Sequence, residues 1–322
     1  MFVHAPEQQV EDFERWPVPQ DYLDSPEVAY RNLQAIELAR GSAEELVGNY
    51  LWMAEADCER LLAQAQRHLG FRFQGQGIEL GAGCAMLSAL VARSPEVRSV
   101  YALEICEEMV RRGVPKVARH VLGSDAHKVK GVFGSFNDLQ LPDNSLDFAL
   151  EIDSIHHSHD LNLTLREAAR VLKPGAQLLC FDRCHPNSLT DEEVDEMLSQ
   201  VYSDEFMRKS HYPPGVKMTR RENGEHEYRE REWMAAFQQA GFRVVGAKCF
   251  WREVRTARAL KGLLQVLPAA IRRRLYRSDN GSFQTTLDWV RQRYQALTCQ
   301  THFGRPILST REATGVFLVE KG

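Results

Sequence analysis

The 322-residue chain contains no apolar run approaching the ~20 residues that a membrane-spanning helix needs. Its first ten residues, Met1 to Val10, lack a basic stretch followed by an apolar one, which argues against a secretory leader. The seven cysteines (Cys58, Cys84, Cys106, Cys180, Cys184, Cys249 and Cys299) include no C-x-x-C pair, and their odd number and scattered spacing speak against a disulfide scaffold. They read as reduced thiols in a cytoplasmic protein. Cys180, Cys184 and His185 cluster in sequence, but they read as ordinary strand and loop residues, since a structural zinc site needs about four ligands. Charge of one sign is scarce too. Forty Lys and Arg against 44 Asp and Glu leave a net charge of −4, so the molecule as a whole is not built to attract a polyanion. There is no internal repeat and no low-complexity tract, which sets solenoids and disordered chains aside.

What is present is the ordinary balance of a globular chain, 43% hydrophobic and 26% charged. The first two dozen residues are polar and carry Pro6, Pro17 and Pro19, which predicts an irregular arm. Ser25-Pro26 then supplies a cap and a first-turn proline for a helix that ends near Arg40-Gly41. Ser42 with Glu45 forms a capping box for a second helix, and Leu61, Leu62, Ala65 and Leu69 stripe a third. Residues 1–72 thus read as an arm and a helical cap. Beyond them strands alternate with helices: strands over 77–80, 100–105, 129–133, 146–152 and 177–182, and helices over 86–93 and 163–172. That alternation predicts an α/β fold with right-handed crossovers and a mostly parallel sheet. Thr190 with Glu193 caps a further helix, 211–227 reads as a loop, 228–240 as a helix, and 242–250 and 315–319 as the last strands. The expected organisation is a core over 73–251 with a lid-like insertion at about 186–227, a helical insertion over 252–312, and a final core strand in 313–322.

The sharpest local signal is Glu79-Leu80-Gly81-Ala82-Gly83-Cys84-Ala85, between a strand and a helix. Glycines at 81 and 83 allow a tight turn and a close backbone approach, and the following helix presents its free amides to the same crevice. A dinucleotide fingerprint would place a third glycine at position 86, where the chain has Met86. Glu104 ends the next strand, about 20 residues on, where a carboxylate can accept both hydroxyls of a ribose.

From Ile78 to Arg183 the chain resembles the class I S-adenosylmethionine-dependent methyltransferases, in particular the branch acting on small molecules. The matching pieces are Glu79-Leu-Gly-Ala-Gly, Glu104, the run Gly134-Ser-Phe-Asn-Asp-Leu-Gln-Leu-Pro-Asp-Asn-Ser-Leu-Asp147, Ile155-His156-His157, and Leu165-Arg-Glu-Ala-Ala-Arg-Val-Leu-Lys-Pro-Gly175, in the family's order. The resemblance covers about a third of the chain closely and leaves out the first 70 residues and the segment 252–312. It implies a doubly wound, mostly parallel seven-stranded sheet of the Rossmann-like methyltransferase fold. It also implies S-adenosylmethionine as cofactor, left as S-adenosylhomocysteine after transfer. By position, Glu79, Gly81, Ala82 and Gly83 would hold the methionine end and Glu104 the ribose. Ile105 would pack on the adenine, with Ser135, Phe136 and Asn137 at its edge. Glu151 and Ile152 would line the sulfonium. Ala85 stands where many members have a third glycine and Ser135 where many have Asp.

A hydroxyl or ammonium acceptor must lose a proton, and His156 and His157, just after the fourth core strand, are the candidates to take it. Arg183, His185, His211 and Tyr212 are candidate acceptor-binding residues, the last two in the lid, and Trp16, Tyr22, Tyr30, Tyr50 and Trp52 could line an acceptor pocket from the cap. No metal is expected: Asp153 and Asp182 end near one edge, but Arg183 follows where a metal-dependent member would offer an amide ligand. Arg252 to Arg277 holds seven arginines and one lysine against Glu253, with leucines interleaved, a stretch that could rest on an anionic membrane or grip a phosphorylated acceptor. Sparse aromatics there speak against nucleic acid. The reading is a methyltransferase acting on an oxygen or nitrogen of a small molecule, glycan- and lipid-linked acceptors included. The competing readings are an RNA or protein methyltransferase and a catalytically silent cofactor-binding partner protein.

Overall fold

The computed structural model describes residues 13–50, 55–185, 187, 189–212, 214–251 and 313–322. The basic insertion expected over 252–312, together with Trp52 and the first dozen residues, lies outside the described residues.

The arm contributes β1 (Glu14–Arg15) and the short α1 (Gln20–Leu23). The cap follows as α2 (Pro26–Leu38), α3 (Ala43–Tyr50) and α4 (Glu55–Gln64). Its starts obey the capping chemistry of the sequence. Ser25 Oγ accepts from Val28 N at 3.3 Å, with Pro26 in the first turn. Ser42 and Glu45 exchange bonds of 2.8 and 3.2 Å, satisfying amides that would otherwise be orphaned.

The core runs β2 (Gly75–Leu80), α5 (Met86–Ala92), β3 (Val97–Glu104), α6 (Val114–Leu122), β4 (Val129–Phe133), β5 (Leu146–Ile152), α7 (Leu161–Val171) and β6 (Leu172–Asp182). Then come α8 (Asp191–Leu198) and α9 (Asp204–Lys209) in the lid, α10 (Glu230–Gln239), β7 (Phe242–Trp251) and β8 (Ala313–Lys321). The sheet order is β1-β4-β3-β2-β5-β6-β8-β7, parallel except where β8 pairs antiparallel with β6 and β7. Among the described residues the sheet therefore has eight strands rather than seven. The addition is β1, a two-residue strand that pairs with the edge strand β4 through Glu14 opposite Val132, too short to leave a periodic pattern.

Buried strands are apolar on both faces, as a sheet covered by helices on each side demands. Ile78 and Leu80 pack on the side of α7 and α10 with Trp233, while Phe148 and Leu150 pack on the other side with α5, whose seven residues are all buried. Each fully buried Leu or Phe contributes roughly 1.5–3 kcal/mol. The chain leaves β2 for β3 on one flank and reaches β5 on the other, so strand order reverses beside β2. A crevice opens there, at the carboxyl ends of the strands.

Candidate cofactor and acceptor cavity

Four loops meet at that crevice. The turn after β2 is shaped by Gly81 and Gly83, both left-handed (φ 70° and 53°), and a Cβ at Gly81 would overlap the side chain of Ser154. Ala85, at the N-cap of α5, is also left-handed (φ 63°) although it is not glycine. That backbone conformation carries a cost for a residue with a Cβ.

Two buried acids frame the turn. Glu79 Oε2 accepts from Ser88 N at 2.8 Å and Ser88 Oγ at 2.5 Å, and burial pushes its carboxyl up to about 8. Glu104 Oε2 accepts from Gly83 N at 2.8 Å, while its Oε1 accepts from the amides of Ile105 and Cys106, each at 2.9 Å. Both acids, with Gly81, Ala82 and Gly83, line one cavity of about 230 Å³. Ile105, Phe136 and Ile152 line its walls, as does Cys58 of α4, whose thiol burial pushes up to about 12. Two carboxylates at the ends of adjacent strands facing one space suit a ligand with a cationic amine and a ribose diol.

The other side of this cavity is built by the cap and the lid. Tyr22, Glu27, Arg31 and Gln34 face it from α1 and α2, and Tyr212 faces it from the lid. Asp153, Ser154 and His157 reach it from the turn after β5. Gln34 Nε2 donates to Ser210 O at 2.5 Å, and Tyr212 donates to Asn223 Oδ1 at 3.0 Å. Asp153 holds a left-handed backbone (φ 53°) with its amide bonded to Phe181 O at 2.7 Å.

Several expected residues lie elsewhere. Ser135 is buried and bonds Asn137 N through Oγ; Asn137 turns to Asp160 O at 2.9 Å and Thr164 Oγ1 at 3.0 Å, so neither lines the cavity. Glu151 is fully buried beneath it, accepting from Phe181 N at 2.9 Å and Ser154 Oγ at 3.1 Å. Burial, then Asp182, pushes its carboxyl well above the usual range.

The two histidines separate. His156 is fully buried with Nδ1 2.6 Å from Asp182 Oδ1, and it does not line the cavity. Its Nε2 is buried and has no hydrogen-bond partner among the described residues. His157 does line the cavity, but its ring is occupied: Nδ1 donates to Gly224 O at 3.1 Å, and Arg31 Nη2 lies 2.7 Å from Nε2. Burial, then the Arg31 charge, holds its pKa well below 6.5.

Arg183 and His185 are held in internal ion pairs and do not line the cavity. Arg183 pairs with Glu225 and lies 3.8 Å from Asp153 Oδ1, and His185 pairs with Glu227. Arg220 closes this cluster on both glutamates, and Tyr202 donates to Glu225. His211 is exposed and left-handed (φ 59°), off the cavity. Of the cap aromatics whose side chains are described, Trp16 packs into the core beside β4 and Tyr22 lines the cavity. Asp153, His156 and Asp182 offer ligand-type atoms within 4.8 Å of one another, but the Arg183 guanidinium already supplies positive charge there. Glu27 and Arg31 leave no distinctive mark in the sequence, because an acid and a base four apart early in a helix look like ordinary surface pairing.

A methyltransferase domain family matches residues 78–180. Demethylmenaquinone methyltransferase of Listeria monocytogenes is 38% identical over 88 residues, 27% of this chain and 35% of the relative. The match thus spans about a third of the length of that curated relative. In structure, the chain is similar to the (4+2)-cyclase SpnF, with TM-score 0.54, 14% identity, and coverage of 96% of this chain and 98% of the cyclase. It is also similar to phosphoethanolamine N-methyltransferase 2 of Haemonchus contortus, with TM-score 0.50, 15% identity, and coverage of 95% of this chain and 61% of that one. At such identities the likeness is one of fold. Residues 78–180 form a methyltransferase domain of the class I S-adenosylmethionine-dependent superfamily.

Proposed function

We propose that the chain is an S-adenosylmethionine-dependent methyltransferase that moves a methyl group to an oxygen or nitrogen of a small molecule. The observation that carries this reading is the convergence of Glu79, Glu104 and the Gly81–Gly83 turn with Glu27, Arg31, His157 and Tyr212 on one cavity. One end has the donors and acids that suit an adenosyl amino acid, and the other is polar and closed by cap and lid. When bound, the cofactor supplies an activated methyl group with a good leaving group behind it.

The residues of the chain then have mainly to bind and orient. Gly81 and Gly83 let the backbone approach the methionine end. Glu104 offers its remaining lone pairs to the ribose, and Ile105 and Phe136 form apolar walls for the adenine. Ile152 and Asp153 flank the transfer point. His157, fixed by Arg31 and Gly224, orients the cap against the lid. Holding two reactants in line can supply on the order of 7–11 kcal/mol. Within the arm and helical cap of 1–72, the described residues Tyr22, Glu27, Arg31, Gln34 and Cys58 cover this cavity, and Tyr212 does so from the lid at about 186–227. A glycan- or lipid-linked acceptor and a contact through 252–277 belong to the same reading.

The test is to incubate the purified chain with methyl-labelled S-adenosylmethionine and a panel of phenols, alcohols and amines, and to follow the label by mass spectrometry. Label in a small molecule is expected. Label only in added RNA or protein, or cofactor binding without transfer to any substrate, would overturn the reading in favour of its competitors.

A further inference from the structure

We propose that Glu27, on the helical cap, is a catalytic residue of this cavity: it binds the O–H or N–H of the methyl acceptor and takes its proton. The proposal rests on the transferase reading above and adds the group that handles the proton.

Glu27 is 6% exposed and its side chain faces the cavity. Its carboxylate has no hydrogen bond among the described residues. Two basic groups approach it, His157 Nδ1 at 3.6 Å and Arg31 Nε at 3.8 Å, both beyond hydrogen-bond distance. A buried carboxylate without donors is costly, because it has given up water and gained little in return. A ligand bringing an O–H or N–H would supply the missing donor.

The surroundings hold the carboxylate where it is. Gly224 of the lid lies against it (φ 70°), and a Cβ at that position would overlap the Glu27 carboxylate. The titratable and charged groups around Glu27 are Tyr22 from α1, Arg31 from α2, His156 and His157 from the turn after β5, and Glu225 from the lid. Burial raises the Glu27 pKa, and Arg31 and His156 oppose it. A carboxylate raised toward neutrality is a better proton acceptor at pH 7 than an ordinary one.

The alternatives on the cavity wall are engaged. His157 has one ring nitrogen donating to Gly224 O and the other facing Arg31. Asp153 lies against the Arg183 guanidinium. The Tyr22 phenol is held protonated, first by burial and then by Glu27 itself.

In the step, the acceptor's O–H or N–H proton passes to a Glu27 oxygen. The acceptor lone pair forms the new bond to carbon, the C–S bond breaks, and its electron pair stays on sulfur as a neutral thioether. No oxidant or further reactant is required.

The experiment compares full-length wild type with Glu27→Gln, Glu27→Asp and the control Glu37→Gln, an exposed acid on the same helix. Three readouts are taken: S-adenosylhomocysteine affinity by calorimetry, transfer to the panel of phenols, alcohols and amines, and the pH dependence of kcat. Expected for Glu27→Gln is a loss on the order of 10²- to 10⁴-fold in kcat, with the acidic limb of the pH profile abolished and product affinity within about threefold of wild type. Glu27→Asp should keep part of the activity and the limb, and Glu37→Gln all of it. Full turnover by Glu27→Gln would overturn the proposal and leave the transferase reading intact. The proposal also fails if the wild type methylates only acceptors without a proton to lose, or binds the product and methylates none of the panel. A wild type that does not bind S-adenosylhomocysteine would remove the transferase reading itself, and the proposal with it.

Discussion

Glu104 Oε2 accepts a hydrogen bond from Gly83 N at 2.8 Å. The acid at the end of β3 thereby clamps the turn after β2, two elements that must keep their spacing for one ligand to bridge them. The same carboxylate holds the amides of Ile105 and Cys106, so a side chain that lines the cavity also fixes the backbone beside it. A charge-assisted bond of this kind is worth roughly 1.5–3 kcal/mol.

Cofactor binding should release a proton. Burial holds Glu79 at about 8, so in the ligand-free chain it is mostly protonated at pH 6.5. A cationic amine beside it favours the ionised form and lowers that pKa. Affinity should therefore rise between about pH 6 and 7.5, by no more than about tenfold per unit. Calorimetry in buffers of different ionisation enthalpy should show close to one proton released for wild type and none for Glu79→Gln.

Ala85→Gly should stabilise the chain. The residue sits left-handed at the start of α5, a conformation that costs a non-glycine residue about 1–2 kcal/mol, and glycine removes that cost at the expense of a more flexible unfolded chain. A net gain of about 1 kcal/mol is expected, read as a higher Tm or denaturant midpoint. A lower midpoint would show that the buried methyl outweighs the backbone.

Acid should loosen the lid before the core. Burial alone would raise the Glu225 carboxyl, but Arg183 and Arg220 outweigh it and hold it well below the usual range. A depressed folded-state pKa contributes stability above the unfolded value, near 4.3, and loses it as pH falls further. Hydrogen exchange over 199–226 should accelerate below about pH 4 while β2, β3 and β5 stay protected. In Glu225→Gln that acid step should flatten, with the lid already looser at pH 7.

Gly224→Ala should damage the acceptor side selectively. The added Cβ overlaps the Glu27 carboxylate and strains a left-handed backbone. Turnover should fall at least about tenfold while product affinity, set at the Glu104 end, changes little. Equal losses in both would mean that the lid supports the whole cavity.

The Gly-x-Gly side of the cavity was legible because its chemistry is local, whereas Ser135, Asn137 and Glu151 turn into the protein instead of lining it. A Gly-x-Gly turn and a strand-end acid at fixed spacing leave marks at Gly81, Gly83 and Glu104 that survive in a single sequence. The acceptor half was not, because its residues come from elements distant along the chain. Glu27 and Tyr212 meet only after α2 folds over the sheet and the lid folds over α2. His156 and His157 are adjacent in sequence, and nothing in that adjacency tells which ring turns inward to Asp182; packing decides it. Arg183 and His185 looked like acceptor ligands because they follow β6, yet their partners Glu225 and Glu227 lie 42 residues on and convert them into an internal ion cluster.

The most direct measurement is a calorimetric titration of S-adenosylhomocysteine into the full chain, wild type beside Glu104→Ala. Micromolar affinity for the wild type and a loss of at least about tenfold for the variant, as expected from removing one strong charge-assisted hydrogen bond, would support an adenosyl site bridging Glu79 and Glu104. No heat with the wild type, or equal affinity in the two proteins, would contradict it.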